Sequence, residues 1–134
     1  TIEASGIAIA VAAGAALGVP AVFAKKHRSG NVAGGVYRAS VHSYTHGNDY
    51  EAVVPALYLD ESDKVLIIDD FLANGEALRG LINIVSQAGA TLVGAAVAIE
   101  KGFQGGGDSL RAQGIRVEAL ALIDRFENNT VVFR

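Results

Sequence analysis

The sequence predicts an α/β fold with one domain over residues 1–134: an open, mostly parallel sheet with helices on both faces, interrupted by an antiparallel excursion. Three observations carry this prediction. Short apolar runs of strand type alternate with segments whose apolar residues recur at helical spacing. One run, Val65-Leu66-Ile67-Ile68, is continuous and made of β-branched residues and Leu, as expected of a strand covered on both faces. The composition, 51% hydrophobic and 19% charged over 134 residues, suits one packed core.

In chain order, Ala4 to Leu17 is small and apolar nearly all round and stops at Gly18 before Pro20, which predicts a buried helix. Ala21 to Ala24 reads as a core strand delivering Lys25-Lys26-His27-Arg28 to its end. Asn31 to Gly35 is a turn-rich break. Val36 to Thr45 and Tyr50 to Leu59 then alternate partly at period two around His46-Gly47-Asn48-Asp49, predicting an antiparallel excursion with a mobile tip. Asp60 to Lys64 connects to Val65–Ile68, expected as a central parallel strand.

After Asn74 and Gly75, the positions Ala77, Leu78, Leu81, Ile82, Ile84 and Val85 follow helical spacing until Gly89. Thr91 to Ile99 forms a strand, Gly102 to Gly107 a flexible loop, Asp108 to Gln113 a short helix and Ile115 to Ile123 a last strand. There is no internal repeat and no linker.

Composition excludes several functional classes. With 11 basic and 14 acidic side chains, the net charge of −3 gives no electrostatic reason to expect a nucleic-acid partner. Cysteine is absent, which removes disulfides and thiolate metal sites and fits a cytoplasmic protein. The most apolar stretch, Ile7 to Val22, is broken by Gly14, Gly18 and Pro20 and is no membrane span. The chain contains no methionine and opens on Thr1-Ile2-Glu3, read as the end of a strand; a fragment lacking its amino-terminal part is expected.

The chemistry concentrates in Val65 to Ala77. Ligands of open α/β sheets bind beyond the carboxyl ends of strands, where Asp69 and Asp70 should sit. Adjacent carboxylates repel and lose hydration there, so they persist most comfortably where hydroxyls, cations or water meet them. A vicinal diol is one such partner. Ala73-Asn74-Gly75-Glu76-Ala77 is a small-residue loop entering a helix, so backbone N–H groups and the positive helix end converge on one point, as a phosphate requires. Diol and phosphate together describe a ribose 5-phosphate. A helix-capping or solvated-turn role is the default for an isolated Asp-Asp pair. A receiver domain also places acids after an apolar strand, but it expects the pair near the chain start, and here the next strand leads to Glu100-Lys101 with no Asp acceptor.

On these residues the sequence resembles the type I phosphoribosyltransferases, a Rossmann-like family whose motif is an apolar strand, two acidic residues and a loop for the 5-phosphate of phosphoribosyl diphosphate. Many members carry Thr or Ser in the loop. Ala73 to Ala77 departs from that and is similar to the xanthine phosphoribosyltransferase branch; the Glu76 side chain is expected to point to solvent, leaving its N–H for the phosphate. The likeness covers nearly the whole chain. Glu3-Ala4-Ser5-Gly6 resembles the diphosphate loop, Phe23 to His27 the following strand and basic cluster, and Ser43-Tyr44 part of the mobile catalytic loop. Ile99-Glu100-Lys101-Gly102-Phe103 resembles the segment whose lysine hydrogen-bonds the purine 6-oxo group beside an aromatic.

The resemblance implies purine salvage: transfer of 5-phosphoribosyl from phosphoribosyl diphosphate to xanthine, giving xanthosine 5-monophosphate and diphosphate. Asp69 and Asp70 orient the ribose and favour its developing positive charge. Ser5, Gly6, Lys25 and Lys26 meet the diphosphate together with substrate-borne Mg²⁺, and no protein metal site is required. Lys101 and Phe103 meet the purine. A homodimer is implied, and the amino-terminal hood over the base is missing. Guanine or hypoxanthine as the base stays open, as does a non-catalytic regulator that senses phosphoribosyl diphosphate. His42 and His46 are expected at the surface, since a strand and turn do not aim both at a metal.

Overall fold

A computed structural model of the chain describes residues 1–27, 35–43 and 48–134. Arg28, Asn31 to Gly34, Tyr44, Thr45 and the expected hairpin tip at His46-Gly47 lie outside the described residues.

Helix α1 spans Gly6–Leu17, followed by strands β1 (Lys25–His27), β2 (Val36–Ser43), β3 (Asn48–Pro55) and β4 (Lys64–Leu72). Then come α2 (Glu76–Gln87), β5 (Thr91–Lys101), α3 (Gly106–Ala112), β6 (Val117–Glu127) and β7 (Thr130–Phe133). The strands form two sheets, ordered β1-β3-β2 and β4-β5-β6-β7. The first is antiparallel throughout, which is the expected excursion. In the second, β4, β5 and β6 run parallel with α2 and α3 as their connections, and β7 returns antiparallel on β6.

Helix α2 joins the two sheets. Its buried residues Leu78, Leu81, Ile84 and Val85 form an apolar stripe at helical spacing, and the helix packs on β2 and β3 as well as on β4 and β5. The shared core combines Ala39 and Val41 of β2, Ala52 and Val54 of β3, Ile67 and Leu72 of β4, and Ala95 and Val97 of β5 with that stripe. At Gly80 the helix comes so close to β2 that an added Cβ would stand 2.5 Å from Val41 Cγ2.

Three expectations need correction. Helix α1 is not buried: only Gly6, Ala10 and Gly14 are, one small residue per turn on the face toward β4. A helix without a polar face gives no pattern from which to choose its inner side. Ala21 to Ala24 is not a strand. Ala24 alone pairs, in an isolated bridge with Ile2, while the strand proper is Lys25–His27, antiparallel to β3. Val65–Ile68 lies in β4 as expected, but β4 is the edge of its sheet among the described residues, and Leu66 remains 40% exposed. An apolar groove runs along that edge between Leu66 and Ile68, Leu17 of α1 and Val19 to Val22.

The Gly80 contact yields a test. G80V forces branched carbon into Val41 on a paired strand and is expected to destabilise the protein by about 1–3 kcal/mol, read from the urea unfolding midpoint.

Candidate active site

Strand β4 ends in Asp69, Asp70, Phe71 and Leu72, and the chain turns through Ala73 and Asn74 to Gly75, which adopts φ 89° at the start of α2. That left-handed conformation favours glycine, and having no side chain Gly75 leaves the first-turn N–H groups of α2 uncapped. They face a cleft of about 460 Å³ lined by Asp69 to Leu78, within the range of small-molecule sites. Glu3, Ser5, Lys26, His42, Tyr50, Lys101 and Gln104 complete its polar wall.

The two acids differ. Asp70 is half-buried, whereas Asp69 is 6% exposed. Asp69 accepts weakly from Thr1 Oγ1 at 3.4 Å and from the Asp70 N–H at 3.1 Å. Burial pushes its pKa from 3.8 up to about 6, the neighbouring Asp70 carboxylate adds to this, and the Asp70 N–H opposes it. Burial and the Asp69 charge likewise push the Tyr50 phenol up. A buried carboxylate with so few donors is poised to accept hydrogen bonds from a ligand.

The loop after the acids is held from behind. Arg79 donates from Nη1 to the Asn74 carbonyl at 2.7 Å and from Nη2 to Ser109 Oγ at 2.8 Å. The Gly106 N–H donates to the Ala73 carbonyl at 3.2 Å. The Glu76 carboxylate turns to Arg79 Nη1 at 3.5 Å, rather than simply to solvent, so a cation offsets its charge beside the uncapped helix start.

Asp69, Asp70, Ala73 to Ala77, Ser5, Lys26 and Lys101 all converge on the cleft. Three other expected site residues do not. Lys25 is outside because successive residues of β1 face opposite ways; Lys26 points to the cleft with its Nζ 5.0 Å over the Tyr50 ring. Gly6 lies beneath the lining, where a Cβ would come 2.7 Å from Asp69 Oδ1, so its role is the close approach of α1 to Asp69. Phe103, 49% exposed, packs edge-on against Phe126 at 5.5 Å, held away by the tight turn Gly102–Gln104. Ser43 ends β2, and its expected partner Tyr44 is outside the described residues. His42 is exposed as expected, yet it borders the cleft and meets Asp49 Oδ1 at 2.5 Å.

Sequence reasoning missed Phe71, Tyr50 and Arg79. Phe71 lines the cleft as Tyr50 does, with Lys101 Nζ 5.4 Å from its ring centroid. Its signal was available: a large aromatic directly after two acids at a strand end, where the next neighbour is solvent or ligand. Among the described residues no group of three or more His, Cys, Asp or Glu side chains converges as metal ligands, and no helix is long and apolar enough to cross a membrane.

Residues 1–109 match the phosphoribosyl transferase domain. Over its whole length the chain is 56% identical to xanthine phosphoribosyltransferase of Alkaliphilus metalliredigens, of which it covers 66%. Over 99% of its length it is 53% identical to xanthine phosphoribosyltransferase of Finegoldia magna, of which it covers 70%. It thus spans about two thirds of the length of these relatives. Among solved structures, APRTase from Giardia lamblia complexed with 9-deazaadenine shares the fold with a TM-score of 0.76 at 22% identity, over 93% of this chain and 68% of that one. Adenine phosphoribosyltransferase from Rhodothermus marinus gives 0.72 at 26% identity, over 90% and 65%.

Asp69 should weaken the unliganded fold. Its folded pKa is raised, so between about pH 4 and 6 the native chain keeps a proton that the unfolded chain releases; stability falls as pH rises through that window. D69N is therefore expected to stabilise the unliganded protein by roughly 2–3 kcal/mol at pH 8 and by less at pH 5, measured by denaturant titration at both pH values.

Proposed function

The chain belongs to the phosphoribosyl transferase domain family, and on that premise we propose that it acts in purine salvage, moving 5-phosphoribosyl from phosphoribosyl diphosphate to xanthine. The products are xanthosine 5-monophosphate and diphosphate. The observation that carries this reading is one cleft holding an acid pair with Asp69 buried, an uncapped helix start at Gly75 five residues further on, and a lysine at the end of the neighbouring parallel strand β5 over the Phe71 ring. Xanthine is favoured because the relatives above bear its name at more than 50% identity.

In this reaction a purine ring nitrogen attacks the anomeric carbon as the bond to the diphosphate oxygen breaks, and the nitrogen's proton passes to solvent. Positive charge gathers on the ribose ring between these events. Asp69 and Asp70 accept its hydroxyls and stabilise that charge. The first-turn N–H groups of α2 take the 5-phosphate, and Ser5 and Lys26 lie where the diphosphate leaves. Lys101 donates to the purine 6-oxo group while the Phe71 ring offers it a stacking face. Mg²⁺ bound with phosphoribosyl diphosphate would offset charge on the leaving group, and Asp69 and Asp70 are the carboxylates that would meet it or its water. No side-chain nucleophile is needed.

The proposal includes a cytoplasmic enzyme, which the cysteine-free composition suits, and a homodimer. Large apolar side chains left open at Val11, Leu17 and Val19 favour association.

The test is chromatographic detection of xanthosine 5-monophosphate from protein, phosphoribosyl diphosphate, Mg²⁺ and xanthine. K101A is expected to raise KM for xanthine by about 10- to 100-fold and leave KM for phosphoribosyl diphosphate nearly unchanged. Preferred turnover of guanine or hypoxanthine rejects the base assignment. Binding of phosphoribosyl diphosphate without turnover of any base supports the sensing regulator instead.

A further inference from the structure

Glu100 is 1% exposed and takes no part in the reaction, yet it precedes Lys101 at the end of β5. Its carboxylate receives Arg111 Nη1 at 2.9 Å and Nη2 at 2.5 Å, a bidentate pair, while Arg111 Nε donates to the Val117 carbonyl at 3.3 Å. Helix α3 rests on this pair: a Cβ on Gly107 would stand 2.0 Å from Glu100 Oε1. One residue earlier, α3 rests on the phosphate loop. A Cβ on Gly106 would stand 2.3 Å from the Ala73 carbonyl oxygen and 2.6 Å from the Gly75 nitrogen. Ser109, on the next turn, holds the Arg79 guanidinium that also clasps the Asn74 carbonyl.

A loop presents its N–H groups to a ligand only while its carbonyls are engaged on the other side. Both carbonyls preceding Gly75 are engaged by α3 or by Arg79, which α3 anchors, and the pair of buried Glu100 with half-buried Arg111 fixes where α3 lies. An apolar pair of equal volume could fill the space as well. What the carboxylate and guanidinium add is direction: two parallel hydrogen bonds set the register of α3 against β5. We propose that Glu100 and Arg111 are positioning residues that, through Gly106, Ser109 and Arg79, hold the Ala73–Ala77 loop in its phosphate-binding shape. This inference rests on the phosphoribosyltransferase reading above. A misplacement of the order of 1 Å in such a loop is enough to cost up to about 10²-fold in rate.

The experiment measures phosphoribosyl diphosphate affinity by calorimetry with Mg²⁺ present, together with KM for xanthine and thermal midpoint, for wild type, E100Q and S109A. E100Q keeps the shape but removes the charge pair. S109A removes only the outer contact of Arg79 and leaves the Glu100–Arg111 pair intact. The expected result is phosphoribosyl diphosphate binding weakened about 10-fold in E100Q and about threefold in S109A, with KM for xanthine within about twofold of wild type and an unchanged midpoint for S109A. A purely structural pair lowers the midpoint of E100Q and leaves affinity in the folded fraction as in wild type; that result, or an equal rise in KM for xanthine, overturns the inference alone. Failure of wild type to bind phosphoribosyl diphosphate overturns the reading of the site and this inference with it. Should E100Q not fold, S109A decides: wild-type affinity overturns the inference and selective weakening supports it.

Discussion

Helix α2 must close against two sheets at once, and the position of everything chemical follows from that packing. Its apolar stripe, Leu78 to Val85, is buried between the antiparallel sheet and the parallel one, with Gly80 permitting direct approach to Val41. With the helix so fixed, its amino end meets the carboxyl end of β4, and the angle between the sheets opens there as the cleft. The acids, the uncapped N–H groups and Lys101 are therefore neighbours because of core packing, not because they attract one another. Core packing at native density deforms little, which is how a site built mostly from backbone keeps its shape.

The two buried acids are handled in opposite ways. Glu100 has a bidentate arginine and a glycine pressed against it, so its charge is matched on site. Asp69 has one long hydroxyl contact and a neighbouring N–H, with a second carboxylate beside it. Matched charge sits behind the cleft and unmatched charge inside it. That division separates scaffold from site on physical grounds, since only an incompletely compensated group gains from a ligand's donors.

The segment Val65 to Val85 was legible because each level agreed: a continuous apolar strand, acids at its end, a small-residue loop, then helical spacing. Other parts were not. Helix α1 is apolar on every side, so periodicity could not identify the face carrying Gly6, Ala10 and Gly14. The composition of β4 suggested a central strand, but strand order is a long-range property that local composition does not encode, and β4 has β5 as its one neighbour among the described residues. By the resemblance of residues 99–103 to a base-binding segment, Phe103 reads as either a stacking or a packing residue; the turn at Gly102–Gln104 sends it to Phe126 and leaves Phe71 beneath the lysine. The glycines at 106 and 107 read as a flexible loop, whereas they belong to a helix held in close contact with Glu100 and the Ala73–Gly75 turn. Glycine marks both freedom and close approach, and sequence does not separate the two.

The under-compensated Asp69 has a consequence beyond the reaction. A folded chain that carries a desolvation penalty when empty is relieved of it on occupancy, so ligand shifts the folding equilibrium by more than a neutral site of similar size would allow. In a cell the unfolded fraction is continually removed by proteases. The abundance of this protein should then follow the supply of the ligand that fills the cleft, with turnover quickening as that ligand is depleted.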